Sequence, residues 1–100
     1  MQPKEILISL LEKAEHTNSI DFIAPDFARA MQEAEFAAKD TDLPTSLDQC
    51  RKNLPILADA SAETVGNYLC SFWQYNAYSG DTEAVRTHII RVLEILISKY

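Results

Sequence analysis

Four positions on one stretch invite a chemical reading first. Tyr68, Ser71, Tyr75 and Tyr78 are spaced three, four and three residues apart, so on a helix they share one face. Tyrosine joins apolar area to a polar tip, which suits an interface, and such a stripe facing outward is a candidate anchor for a partner. The competing reading places the same tyrosines at the rim of the core with their hydroxyls in water. The two histidines, His16 and His88, carry less information. Neither is followed at three or four residues by the His, Cys or carboxylate that would let one helix face hold a metal; for His88 those positions are Arg91 and Val92. His16, near a predicted helix end, suits the negative pole of the dipole when protonated.

Cys50 and Cys70 fall on different predicted helices without a C-x-x-C, and they read as buried free thiols. Glu33 and Glu35 look like a carboxylate pair, but residues two apart point about 200° away from each other around a helix, so the spacing builds no shared site. Asp40-x-Asp42 begins like a calcium loop, yet the required glycine and later glutamate are missing. Gly66 and Gly80 are the only glycines, which excludes most phosphate-cradling loops. No G-x-S-x-G, H-E-x-x-H or zinc ribbon occurs. From these residues no catalytic group, metal or cofactor is assigned, and the chain reads as more suited to binding than to catalysis.

The elements that must position these residues are helical. Val65, Leu69, Phe72 and Trp73 repeat at helical spacing, closed by Asn76 and Ala77, and Val85, Ile89, Val92, Leu93 and Leu96 do the same further on. Ser61 is the expected N-cap of the first pattern and Asp81 of the second. Gly80 is expected to supply a left-handed residue between them, and so short a link folds the two helices antiparallel. Upstream, Pro3 opens a helix with Ile6, Leu7, Leu10, Leu11 and Ala14 on its buried stripe. Ile20-Asp21-Phe22-Ile23 is expected to plug the end of the bundle. A second helix starts at Pro25-Asp26 and carries Phe27, Ala30, Met31, Ala34, Ala37 and Ala38 on one face to about Lys39. Phe36 falls nearly opposite Phe27, so it is either covered by a loop or exposed.

Ser46-Leu47-Asp48-Gln49 matches a capping box for a short third helix. That helix should face Leu47, Cys50 and Leu54 inward and Arg51, Lys52 and Asn53 outward, and Pro55 should break it. With no alternating strand pattern, the expected fold is all-α: an antiparallel, up-down bundle of four main helices, a short third element and an irregular connection between helices one and two. Residues 1–100 form a single domain on this reading.

Charge bears on partners. The net charge is −6, and residues 1–50 hold ten Asp/Glu against four Lys/Arg, whereas residues 51–100 hold five of each. An acidic half disfavours nucleic acid, whose affinity comes from Lys/Arg displacing counterions, and favours a basic protein partner. No apolar run is long enough to span a bilayer, and the N-terminus shows no signal-peptide cleavage site, so a soluble cytoplasmic chain is expected. The leading functional expectation is a non-enzymatic interaction domain, such as a small acidic inhibitor, antitoxin or immunity-type protein that masks a basic partner. Its candidate surface is Glu33, Phe36, Asp40, Tyr68, Tyr75 and Tyr78. Two alternatives stand beside it. One is a structural homodimer through the tyrosine stripe. The other is a ligand-binding or catalytic bundle with an inter-helix site using His88, Arg86, Arg91 or Trp73.

Overall fold

The computed structural model describes residues 2–16, 24–39, 42–77 and 79–100, with Ala24 by its backbone. The fold is all-α: α1 (Pro3–Glu15), α2 (Ala24–Glu33), α3 (Leu54–Ala58), α4 (Ala62–Asn76) and α5 (Thr82–Ile97), with a 3₁₀ turn over Cys50–Asn53 ahead of α3. The expected plug at residues 20–23 lies outside the described residues.

The apolar stripes pack as their spacing requires. Val65, Leu69 and Phe72 of α4 meet Ile89, Leu93 and Leu96 of α5 in one core with Leu7 and Leu10 of α1 and Leu57 of α3. Burying side chains of this size is worth roughly 1.5–3 kcal/mol each. Helices α4 and α5 run antiparallel: Tyr68 meets His88 midway, and Lys99 Nζ reaches back to the Ala58 carbonyl at 2.9 Å. Both expected caps are present. The Ser61 hydroxyl accepts from Thr64 N–H at 3.2 Å, and the Asp81 carboxylate accepts from Ala84 N–H at 3.1 Å. Helix α5 also touches α1 and α3, and α1 packs on α2.

Five local expectations are corrected. Gly80 is not left-handed, since no described glycine has positive φ; the chain leaves α4 through right-handed geometry at Ala77. Helix α2 stops at Glu33 rather than continuing to Lys39. There Phe36 N–H bonds to the Met31 carbonyl and Glu35 N–H to the Gln32 carbonyl, at 2.9 and 3.0 Å, with Glu35 at φ 66°. This pairing is the Schellman termination, built on a glutamate where glycine is usual. Pro55 does not break a helix. It lies in the first turn of α3, where its missing N–H costs nothing. The Ser46 capping box does not form: residues 47–49 turn, and the following segment winds as a 3₁₀ element with no side-chain cap. At three residues per turn Asn53 eclipses Cys50, so Asn53 is buried rather than outward.

Because α2 ends early, residues 36–39 leave it as an extended strap along α4. Ala37 N–H donates to Asn67 Oδ1 at 3.1 Å. Ser71 Oγ both accepts from Lys39 N–H (3.2 Å) and donates to the Lys39 carbonyl (2.8 Å). Farther on, Asn76 Nδ2 donates to the Thr45 carbonyl at 2.7 Å. A helix has no free backbone groups along its flank, so side chains of α4 satisfy the strap instead. The Phe36 ring lies over Gly66, in the space a β-carbon there would occupy.

Candidate functional site

Two surface grooves and one buried polar chain hold the groups that could act. The chain links three elements. Asn53, from the 3₁₀ turn, spends its two amide hydrogens on the Pro44 carbonyl (2.7 Å) and the Tyr68 hydroxyl (3.1 Å). With its oxygen accepting from Asn53, the Tyr68 hydroxyl directs its hydrogen to His88 Nε2 at 2.8 Å. His88 is thereby the tautomer with its proton on Nδ1. The Phe72 ring packs on the imidazole with centroids 4.6 Å apart.

Burial sets the protonation of this chain. Desolvation first, then the nearby Arg51 charge, lowers His88 from 6.5 to about 4. Desolvation raises Tyr68 to about 12, against a smaller lowering by the Asn53 hydrogen bond. At neutral pH both are uncharged, so the histidine acts as a neutral donor and acceptor rather than a poised acid or base. The cysteines are no more activated. Both are free and buried; Cys50 donates to the Leu47 carbonyl at 3.2 Å, and burial pushes Cys70 up to about 11.

The first groove lies between α2 and α4. It encloses about 600 Å³ and is lined by Phe27, Met31, Phe36, Cys70 and Trp73. Phe27 and Trp73 form its floor, their rings 4.8 Å apart at centroid. Gln32, Glu35 and Gln74 stand at its edge, and among the described residues lining it Glu35 is the only charged one. The second groove, about 750 Å³, runs between residues 47–54 and α5 and has His88 on its wall with Arg51 and Arg91.

The residues singled out from sequence do not gather into one surface. Tyr68 is 1% exposed and belongs to the core, because its hydroxyl has partners in Asn53 and His88. Ser71 fastens the strap, and Tyr75 is 70% exposed. The expected tyrosine stripe is therefore not one exposed face, and Tyr78 lies outside the described residues. Phe36 is half-buried in the strap over Gly66, neither covered by a separate loop nor free. Glu33 is exposed on the α1 side of α2, and Asp40 lies outside the described residues. Arg86 is no groove residue: its guanidinium donates to the Ala14 and Glu15 carbonyls at 2.7 and 3.0 Å, capping α1, and pairs with Glu83.

Sequence reasoning missed Asn53, Asn67 and Asn76 as partners of the strap and the buried chain. The available signal was polar side chains set into apolar helical periods downstream of a proline-containing loop. Compared with protein-family models, curated proteins and solved structures, the chain matches none. Among the described residues, no helix is long and apolar enough to cross a membrane.

Proposed function

We propose that the chain is a non-enzymatic protein-interaction domain whose α2/α4 groove receives the apolar face of a basic amphipathic helix from a partner. The observation that carries this reading is the groove itself: the half-buried rings of Trp73 and Phe36 present apolar surface between polar edges, backed by the buried Phe27 and Met31. Grooves of this composition accept helical anchors spaced three or four residues apart. Charge selects the sign of the occupant. Among the described residues the groove holds a glutamate and no cation, and the half of the chain that supplies α2 and the strap carries the whole net charge of −6. An inhibitor or antitoxin-like role against a basic protein is the biological form this takes. The neutral His88 and the unactivated thiols favour binding over catalysis, and the burial of Tyr68 removes the symmetric stripe on which a homodimer would rest.

Trp73 reports directly, because it is the only tryptophan in the chain and sits on the groove floor. Titration with a Leu/Lys amphipathic helical peptide should shift its emission to the blue, saturably, and added salt should weaken the response. A Leu/Glu peptide of the same apolar pattern should bind far less, and Gln74→Lys at the groove edge should weaken the Leu/Lys complex. An unchanged spectrum, or equal response to both peptides, would overturn the reading.

A further inference from the structure

We propose that the second groove, between residues 47–54 and α5, is a binding site for a small organic monocarboxylate, held by Arg51, Arg91 and the Nδ1–H of His88. The site is separate from the α2/α4 groove and does not depend on what that groove binds.

His88 supplies the first reason. It is only 4% exposed, and its Nε2 is committed to Tyr68. Its Nδ1–H has no hydrogen-bond partner among the described residues, yet no fully enclosed side-chain nitrogen or oxygen among them lacks a partner. The Nδ1–H is therefore not fully enclosed, and the groove is a surface that His88 lines. A buried donor with one open side gains most from an acceptor that fits, because its surroundings offer no protein substitute.

The arginines supply the second. Arg51 and Arg91 line the same groove, both solvent-facing, and neither belongs to an ion pair among the described residues. A guanidinium presents parallel N–H groups that match the two oxygens of a carboxylate. Arg51 is close enough for its charge to act on the His88 ring, so one anion can serve both.

Charge balance and walls narrow the ligand. Asp48 and Asp81 line the groove together with the two arginines, and the Asp81 carboxylate already caps α5. The two carboxylates offset the field of the arginines, which penalises a dianion such as a phosphate monoester more than a ligand with a single negative charge that one guanidinium can pair directly. Leu47, Leu54 and Ala84 give an apolar wall for the body of the ligand. A volume of about 750 Å³ lies within the usual size of small-molecule sites.

Phenylacetate is a suitable probe, with phenylacetamide and inorganic phosphate as its uncharged and dianionic counterparts. The readout is the His88 Nδ1 resonance in long-range proton–nitrogen spectra of the full chain. Phenylacetate should move that resonance saturably. Arg51→Gln or Arg91→Gln should weaken its affinity by at least about tenfold, the equivalent of one charge-assisted contact, and Arg91→Lys should fall between. Both arginines are exposed, and the backbone amide spectrum verifies that each variant is folded. Phosphate and phenylacetamide should bind at least about tenfold more weakly than phenylacetate. The proposal is overturned by no saturable shift with phenylacetate, by equal affinity in the arginine variants, or by binding of phenylacetamide or phosphate as tight as that of phenylacetate.

Discussion

The Tyr68 hydroxyl donates to His88 Nε2 across 2.8 Å of the core, joining the middle of α4 to the middle of α5. This bond is the polar seam in an otherwise apolar helix pair, and it makes the fold sensitive to acid. The imidazole titrates near 6.5 when unfolded and near 4 when folded, because burial and Arg51 both oppose its charge. Between those values the unfolded chain takes up a proton that the folded chain refuses. The contribution is therefore intact above about pH 6.5 and is lost as pH falls toward 4, amounting to about 3 kcal/mol. Urea unfolding at pH 7.5, 6, 5 and 4.5 should show the decline. His88→Gln, which keeps an acceptor for Tyr68 without the titration, should flatten the slope in the upper part of that window, where carboxylates contribute little.

Removing the hydroxyl alone is a separate test. Tyr68→Phe leaves Asn53 with one amide hydrogen unmatched and His88 Nε2 without its donor, both in the interior. The expected loss is about 1–3 kcal/mol for the stranded polar groups. Asn53→Leu combined with Tyr68→Phe should lose less than the sum of the two single changes, measured as a double-mutant cycle by chemical denaturation.

Gly66 and Phe36 set the position of the strap. Alanine in a helix interior normally stabilises by about 1 kcal/mol over glycine. Here the added β-carbon falls within the Phe36 ring, so Gly66→Ala should instead destabilise by about 1–3 kcal/mol. In a Phe36→Ala background the same change should revert to stabilising. A destabilising Gly66→Ala in both backgrounds would show that the ring is not what the glycine accommodates.

Glu35 holds the left-handed turn that ends α2. A side chain at φ 66° costs about 1–2 kcal/mol that glycine does not incur. Glu35→Gly should raise the melting temperature, while Glu35→Val should lower it, since a β-branched residue tolerates this region least.

The cap on α1 depends on geometry as well as charge. Arg86 reaches two terminal carbonyls through different nitrogens while pairing with Glu83, and its side chain is 17% exposed. Arg86→Lys keeps the positive charge at the negative helix end but cannot reproduce the fork. It should lose about 1 kcal/mol, and Arg86→Ala about 2 kcal/mol, by thermal unfolding at fixed pH.

The long stripes were legible because burial follows helical period directly: Val65, Leu69, Ile89 and Leu93 could face nowhere else. Ser61 and Asp81 were legible as caps because a short polar side chain before an apolar period has one local use. Other residues misled for identifiable reasons. Pro55 reads as a breaker or an opener depending on what precedes it, and a 3₁₀ turn upstream decided for the opener. Glu35 carries no sign that it will turn left-handed, so the alanines beyond it looked like more of α2. Tyr68 shares its spacing with Tyr75, yet one is core and the other surface. Only the third-dimension partners Asn53 and His88 separate them. The second groove was invisible for the same reason, since its arginines come from segments forty residues apart in sequence.

The strap from Phe36 to Lys39 is fastened to α4 by side chains and one ring rather than by shared backbone ladders. Its release would leave every helix hydrogen-bonded as before, so it can exchange its amides through a local opening well short of global unfolding. The same segment borders the α2/α4 groove, which gives that groove a wall able to yield to a guest without any change in the scaffold behind it.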